Sequence, residues 1–394
     1  MPVGKLKNLV YGAALPLVGK RCQWTAVSGG AAETNEALAK VLRKRRAVGA
    51  CVQRFEKGAL TECCTAGFAR LSPEKMTVTP DTVFRTASIA KMVTALLVFR
   101  LQTKGLLDVE EPMAAFLGYP VQNPRYPDRP LTLGMALSHT SSLVDSPAYF
   151  ASFSNPGDLR GLLSAPASYA SYAPGAAFRY SNLAAGAIGC MLEKRFGESF
   201  EALAQRELFA PLGVEATFDL SRLRDKPLAD NARVFPNRLC FDAGKRAASA
   251  SALDAPDADS HYLLASGGLF LTAEALARLA LVVWNGKDGF IDPRGVSAMQ
   301  TPAADWPRKE IRMRYGMGLL KLEDSAAFSR PLWGHQGFAY GAVNGVFFDA
   351  EGNGFAALNS GVSEQRKGHL ALVNRDLIRV LLEGGGGKGA QGNE

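Results

Sequence analysis

A serine and a lysine stand three residues apart at the start of an apolar helical pattern, in Ser88-Ile89-Ala90-Lys91. Residues at this spacing share a helix face, so the hydroxyl and the amino group lie side by side. A serine hydroxyl is a poor nucleophile unless a base lies within hydrogen-bond reach, and burial favours the neutral lysine amine that can act as this base. The pair suits nucleophilic catalysis at Ser88, although this motif taken alone favours a simple N-cap serine.

The same S-x-x-K spacing occurs a second time, in Ser72-Pro73-Glu74-Lys75. Pro73 follows the serine directly, and Pro80 lies a few residues further on, so this segment cannot continue as a buried helix. We therefore interpret Ser72 as a turn residue and Ser88 as the candidate nucleophile.

Two further motifs follow Ser88 in order along the chain: the segment 174–182, which ends in Arg179-Tyr180-Ser181-Asn182, and Trp333-Gly334-His335-Gln336-Gly337. With these motifs the sequence resembles the serine β-lactamase and penicillin-binding-protein superfamily. The resemblance is to the branch that contains class C β-lactamases, D-alanyl-D-alanine carboxypeptidases, D-aminopeptidases and related esterases. It runs from about residue 50 to residue 382 and includes the segments 84–87, 137–143 and 266–269.

The resemblance implies that Ser88 is acylated, that Lys91 is its partner, and that Tyr180 and Asn182 form a Y-x-N element. Tyr180 would take part in the proton relay, and either Lys91 or Tyr180 would be the base. The Asn182 amide offers both a donor and an acceptor to an acylamino substrate.

The third element of the family falls on His335 and Gly337, where many relatives have K-T-G. Gly337 would let substrate lie against the strand edge, and the backbone N–H groups of Ser88 and Phe338 would form the oxyanion hole. Because His335 replaces a lysine, we expect the substrate-carboxylate anchor either to be an imidazole that titrates near pH 6.5 or to be absent, which argues against efficient β-lactam hydrolysis. Ser142 stands where the family loop usually has glycine.

The patterns predict an α+β fold, in which an antiparallel β-sheet is flanked by N- and C-terminal helices and accompanied by a mainly helical subdomain, as in β-lactamases and transpeptidases. A hairpin is expected over 49–54 and 60–68, a buried helix from 88 to 101, strands at 315–322, 328–334, 341–349 and 354–359, and a final helix over 370–380. We assign residues 33–105 and 229–383 to the sheet domain, 106–228 to the helical subdomain and 384–394 to a flexible tail, and leave 1–32 unassigned.

The composition of the 394-residue chain is that of an ordinary globular protein, with 47% hydrophobic and 21% charged residues. The net charge of +8 is spread along the chain, which argues against a nucleic-acid partner. Six cysteines without a C-x-x-C motif and four histidines without H-E-x-x-H favour neither a disulfide framework nor a metal site. For His139 we expect a structural hydrogen bond.

The apolar stretch 9–19 follows Lys5 and Lys7, as in a signal peptide, but it contains Pro16 and lacks a clear A-x-A cleavage site. It is also too short to span a bilayer. We expect a cytoplasmic protein whose N-terminus makes peripheral contact with a membrane or another surface, with export as the alternative.

Together these features predict a cofactor-independent serine hydrolase that forms an acyl-enzyme with a D-amino-acid peptide, amide or ester. A class C-like β-lactamase is the alternative within the same chemistry. A non-catalytic, penicillin-recognising ligand-binding protein is the alternative from another class. The partner expected is a small molecule or short peptide, and the sequence does not indicate an oligomeric state.

Overall fold

A computed structural model describes residues 26–71, 74–229, 250–305, 311–324, 327–339 and 341–384. The N-terminal apolar stretch, Ser72, and the tail beyond Gly384 lie outside these ranges, and so do two of the six cysteines, Cys22 and Cys240. Within the ranges, no helix has the length and apolarity needed to cross a membrane.

Strands occur at both ends of the described chain. In chain order they are β1 (Gly49–Glu56), β2 (Ala59–Arg70), β3 (Met76–Thr77), β4 (Val83–Arg85), β5 (Ala216–Thr217), β6 (Leu228–Ala229), β7 (Phe270–Leu271), β8 (Ala304–Asp305), β9 (Met313–Tyr315), β10 (Leu320–Leu322), β11 (Leu332–Ala339), β12 (Ala342–Phe348), β13 (Gly354–Ser360), β14 (Arg366–Lys367) and β15 (Leu370–Ala371).

The largest sheet is antiparallel, with the strand order β3-β2-β1-β13-β12-β11-β10-β9-β8. Its centre joins the two ends of the chain, because β1 pairs with β13 from Gly49 opposite Ser360 to Phe55 opposite Gly354. This confirms the predicted fold class and the pairing of early and late strands. A second sheet, with the order β5-β7-β4-β6, lies beside it.

The predicted hairpin is confirmed as β1 and β2, which reverse at Lys57 and Gly58 with φ values of 50° and 80°. Two consecutive positive φ angles match the turn type that suits the twist of a two-residue hairpin. The prediction of one strand over 315–322 is wrong. The chain turns back between Tyr315 and Leu320, so that β9 and β10 pair with each other, and Gly318 takes a φ of 77° in this turn.

Helices cover the sheet and fill the middle of the chain. They are α1 (Ala32–Lys44), α2 (Ala90–Thr103), α3 (Met113–Leu117), α4 (Leu133–Leu137), α5 (Pro147–Ala151), α6 (Leu159–Ser164), α7 (Asn182–Phe196), α8 (Phe200–Ala204), α9 (Ala210–Leu212), α10 (Leu264–Gly267), α11 (Ala273–Asn285), α12 (Pro293–Gln300) and α13 (Leu372–Leu381). Short 3₁₀ turns add to these, one of which, Ala87–Ile89, leads directly into α2. The division into a sheet domain and a helical subdomain stays a prediction.

Each face of the large sheet has its own apolar core, as the alternation of side chains along a strand requires. On one face, Phe348 and Leu358 pack with α2, α7 and α11. On the other face, Phe347 and Phe355 pack with α1 and α13, the terminal helices. Helix α2 lies deep in the first core and brings its N-terminus to the edge of β11.

Candidate active site

Ser88 and Lys91 lie together where the 3₁₀ turn leads into α2. Lys91 Nζ donates a hydrogen bond to Ser88 Oγ over 3.2 Å, and Ser88 remains half-exposed while Lys91 is 3% exposed. Ala87, directly before Ser88, has a φ of 53°, a left-handed conformation that is unfavourable for a residue with a Cβ. Such strained backbone is often found at functional sites, where the surrounding structure maintains it.

The amino group of Lys91 has three hydrogen-bond acceptors. Besides Ser88 Oγ, these are Asn182 Oδ1 at 2.8 Å and the main-chain oxygen of Ser266 at 2.5 Å. All three acceptors are uncharged, so they orient the group without compensating for its loss of solvation. Burial lowers the pKa of Lys91 to about 7, although the charge of Asp145 acts to raise it. A neutral amine is thus accessible near neutral pH.

Tyr180 lies over this pair from the segment that precedes α7. Its hydroxyl hydrogen-bonds with the side chain of Ser88, and Lys91 Nζ lies 5.0 Å from the centre of its ring. Burial raises the pKa of Tyr180 above its ordinary value. The phenol therefore keeps its proton under conditions in which the lysine can lose one.

The structure brings the four residues of the first two motifs into one cluster. Asn182 is the first residue of α7, after Ser181, whose hydroxyl accepts from Ala184 N and caps the helix. Its amide oxygen faces Lys91, and its nitrogen donates to Asp145 Oδ2 over 2.8 Å. Its contact with an acylamino substrate stays a prediction.

Strand β11 borders this cluster at Gly337. A Cβ at this position would lie 2.1 Å from the main-chain oxygen of Thr86 and 3.1 Å from Ser88 N, so only glycine lets the strand approach the turn this closely. Pairing with β10 extends only from Leu332 to Gly334, which leaves 335–339 without a strand on that side in the part of the chain that is described. This open edge lies beside Ser88, as the predicted oxyanion hole of Ser88 and Phe338 requires.

His335 differs from the expectation. The side chain is 2% exposed, its Nε2 is 2.9 Å from the Tyr315 hydroxyl, and its Nδ1 is 2.8 Å from the main-chain oxygen of Gln336. Burial, together with the charge of Lys91, lowers the pKa of His335 to about 3. The expectation of an imidazole that titrates near pH 6.5 and binds a carboxylate is therefore corrected: the ring is neutral above about pH 5, and both its nitrogens have protein partners.

The 137–143 loop supports the segment that carries Tyr180. His139 Nδ1 accepts a hydrogen bond from Ser181 N over 3.2 Å, and the His139 ring packs on Tyr180 with 4.3 Å between the ring centres. The expected structural role of His139 is confirmed. The φ of 65° at Ser142 explains why a glycine suits this position, and its hydroxyl accepts from Asn123 Nδ2 over 3.0 Å.

Two charged residues near the cluster were missed by sequence reasoning. Asp145 binds the start of α7, and Arg366, on β14, lies with its guanidinium carbon 3.7 Å from the centre of the Phe338 ring. Arg366 also interacts electrostatically with Tyr180. Neither residue belongs to a local motif, so only the folded chain brings them to the site. Among the described residues, no three His, Cys, Asp or Glu side chains group as metal ligands.

The chain belongs to the beta-lactamase family, whose profile matches residues 34–377. The family is one of serine hydrolases, and the relatives of this chain include an esterase and a D-alanyl-D-alanine-carboxypeptidase/endopeptidase.

The chain is 30% identical over 203 residues to esterase EstB of Burkholderia gladioli, a match that covers 47% of this chain and 50% of the esterase. It is 25% identical over 190 residues to penicillin-binding protein 4* of Bacillus subtilis (strain 168), covering 46% of this chain and 40% of that protein. The match thus spans half or less of either relative's length.

The D-amino acid amidase of Ochrobactrum anthropi SV3, solved with L-phenylalanine amide, has a TM-score of 0.67 to this chain at 21% sequence identity. The match covers 89% of this chain and 98% of the amidase. At this level of identity, the likeness shows a shared fold.

Proposed function

We propose that the protein is a cofactor-independent serine hydrolase in which Ser88 forms an acyl-enzyme with a D-amino-acid peptide, amide or ester. The observation that carries the proposal is the hydroxyl of Ser88, within 3.2 Å of a buried lysine amine whose pKa is lowered to about 7. A nucleophile beside a base that is neutral at working pH is the arrangement that covalent catalysis needs.

In the acylation step, Ser88 Oγ attacks the substrate carbonyl carbon and its proton passes to neutral Lys91. The main-chain N–H groups of Ser88 and Phe338 stabilise the negative charge that develops on the carbonyl oxygen, and each such donor contributes about 3 kcal/mol. The Tyr180 phenol donates its proton to the leaving group and takes one from the Lys91 ammonium group in its place, so it is neutral before and after the step. Water then hydrolyses the ester on Ser88 by the same relay in reverse.

The pKa shifts of Lys91 and Tyr180 select between these two residues as the general base. Burial lowers the pKa of the Lys91 ammonium and raises the pKa of the Tyr180 phenol, so burial favours the neutral form of both groups. A neutral lysine is a base, whereas a neutral phenol is a proton donor and acceptor within a relay. Lys91 is therefore the general base in our proposal.

Arg366 favours substrates that carry a carboxylate beyond the scissile bond. Its side chain is 42% exposed, lies against the ring of Phe338, and is 3.9 Å from its counter-ion Glu364. A guanidinium in this loose pairing can bind a carboxylate in a bidentate manner. It supplies the cation that His335 does not, and it suits both a C-terminal D-amino acid and a penicillin, so a class C-like β-lactamase is the second candidate.

Intact-protein mass spectrometry after incubation with a penicillin and with a chromogenic short-chain ester tests the proposal. We expect a covalent adduct with the wild type and release of the chromophore from the ester. Ser88→Ala should abolish the adduct and lower ester turnover by about 10⁴-fold or more. Ser72→Ala, in the second S-x-x-K match, is the matched control and should leave both unchanged.

Rapid release of the penicillin adduct would favour the β-lactamase, while a long-lived adduct with fast ester turnover would favour the peptidase or esterase. Binding of penicillin without any adduct or ester turnover would favour the non-catalytic alternative and contradict the proposal. An adduct that survives in Ser88→Ala would also contradict it.

A further inference from the structure

Asp145 lies just beyond the 137–143 loop and reaches the first turn of α7. Its carboxylate accepts three hydrogen bonds there: from Ser181 Oγ at 3.2 Å, from Asn182 Nδ2 at 2.8 Å and from Leu183 N at 2.9 Å. One side chain from a separate segment therefore both satisfies a free N–H of the helix start and binds the amide beside the candidate base.

This contact decides which way the Asn182 amide points. An asparagine amide has a donor end and an acceptor end, whereas an ionised carboxylate only accepts. Asn182 Nδ2 must therefore face Asp145, and Oδ1 then faces Lys91 Nζ, 2.8 Å away. In the reverse orientation, Asn182 Oδ1 would face the Asp145 carboxylate oxygen and Asn182 Nδ2 would face Lys91 Nζ, so neither contact would be a hydrogen bond between a donor and an acceptor.

The same chain of contacts places a negative charge one amide away from Lys91. Burial lowers the pKa of Lys91, and Asp145 raises it. The other titratable groups that face the lysine are the rings of His139 and His335, whose pKa values burial lowers, and the phenol of Tyr180, whose pKa burial raises. Near neutral pH these three are uncharged, so Asp145 supplies the negative charge that acts on Lys91.

We propose that Asp145 is the positioning residue of the acylation step: it holds the Asn182 amide oxygen towards Lys91, and its charge sets the pH range in which the Lys91 amine is free to accept the proton of Ser88. This inference rests on the proposed function of Ser88 and Lys91. Asp145 acts through Asn182 and makes no contact with the reacting atoms.

The test uses the pH dependence of kcat/KM for a neutral ester, whose acidic limb reports the free enzyme's base. We expect the wild-type limb to have its midpoint near the Lys91 pKa of about 7. Asp145→Asn removes the charge in an isosteric side chain and should move the midpoint to lower pH by about one unit, because the ammonium form loses its stabilising carboxylate. Asp145→Ala should move it similarly and also lower the plateau by up to about 10²-fold, since Asn182 is no longer oriented.

Asp145→Glu and Asp292→Asn are the controls. Asp145→Glu keeps the charge and should keep the midpoint near that of the wild type. Asp292 caps α12 by accepting from Gly295 N over 2.7 Å, far from the cluster in the chain. Asp292→Asn removes a carboxylate charge far from the cluster and should leave the midpoint unmoved, with the fold kept because asparagine caps a helix about as well as aspartate.

A folded Asp145→Asn variant with an unmoved midpoint would overturn the inference and leave Asp145 as a helix cap alone. If Asp145→Asn does not fold, a midpoint in Asp145→Ala equal to that of the wild type would overturn it in the same way. Loss of the proposed function itself is a separate outcome, because it would appear as ester turnover that survives in Ser88→Ala.

Discussion

Lys91 and His261 are two basic side chains withdrawn from water, and they differ in what accepts their hydrogen bonds. Lys91 donates to a hydroxyl, an amide oxygen and a main-chain oxygen, and the charge of Asp145 acts on it through one amide. His261 Nδ1 lies 2.7 Å from the carboxylate of Glu193, which is itself buried. The Asn182 amide separates Lys91 from the Asp145 carboxylate, whereas His261 contacts the Glu193 carboxylate directly.

The difference separates a candidate base, whose pKa is lowered, from a histidine whose pKa is raised. The pKa of Lys91 falls to about 7 because burial outweighs the charge of Asp145. For His261, burial also acts to lower the pKa, but the hydrogen bond and charge of Glu193, together with the charge of Asp257, outweigh it and raise the value. Arg366 lies between these two cases in how closely its carboxylate is paired. Its guanidinium is 3.9 Å from the Glu364 carboxylate and remains available to a ligand.

The largest expected effect comes from breaking the Lys91 relay. Lys91→Ala and Tyr180→Phe should each slow acylation of Ser88 by roughly 10²- to 10⁴-fold, because each removes one step of proton transfer. The double variant should be scarcely slower than either single variant, since members of one relay are not additive. Single-turnover acylation rates measure all three.

Independent roles for the two residues would give a different result. The losses in activation free energy would then add in the double variant, which would argue that Lys91 and Tyr180 do not share a proton pathway.

A smaller effect is expected at Arg366. Arg366→Gln should lower kcat/KM by about 10- to 10²-fold for a substrate with a terminal carboxylate, and should hardly change it for the matched amide without one. Lys367→Gln, at the exposed neighbouring position, is the control and should affect both substrates alike. Equal losses for the two substrates in Arg366→Gln would mean that the guanidinium does not bind the carboxylate.

The role of His335 is tested by the ratio of kcat/KM for the substrate with a terminal carboxylate to kcat/KM for the matched amide, measured as a function of pH. With the pKa of His335 lowered to about 3, the ratio of kcat/KM values should stay constant within about twofold from pH 5 to pH 8. A ratio that falls through about pH 6.5 would restore the imidazole as the carboxylate anchor.

The smallest expected effect is a loss of folding stability when the His261–Glu193 pair is broken. His261→Gln should lower the free energy of unfolding by about 1 to 2 kcal/mol at pH 6, although Glu193 keeps the N–H groups of Phe200 and Asp257 as donors. A raised folded-state pKa gives stability that is fully present below the unfolded value of about 6.5 and is lost as pH rises through the folded value. Denaturant titrations should therefore show a smaller difference between wild type and variant at alkaline pH.

The control for this pair is Arg278→Gln, which breaks an exposed i, i+4 pair with Glu274. It should cost only about 0.3 to 0.5 kcal/mol. If His261→Gln lowers the free energy of unfolding by no more than Arg278→Gln does, or if its effect grows with pH, the direct pairing of His261 with Glu193 does not stabilise the fold as argued.

Local spacing singled out Ser88 and Lys91 as a candidate pair, and the resemblance to a known family, carried by three motifs in order along the chain, supplied the predicted roles of Tyr180 and Asn182. Local spacing could not find Asp145, which lies 37 residues before the asparagine it binds, or Arg366, which β14 brings over Phe338. The error at His335 has the same origin. Its neutral state follows from burial and from the charge of Lys91, and its Nε2 is bound by Tyr315, 20 residues earlier on a neighbouring hairpin. No pattern within one strand carries that information.

The central claim is that Lys91 is uncharged near neutral pH and serves as the base for Ser88. The most direct measurement is the single-turnover rate of acylation of Ser88 by an uncharged ester, followed from about pH 5 to about pH 9. We expect the rate to rise with pH and to reach half of its maximum near pH 7, in line with the pKa of Lys91 of about 7. A rate that is constant over this range, or that still rises towards the ordinary lysine value of about 10, would contradict the account.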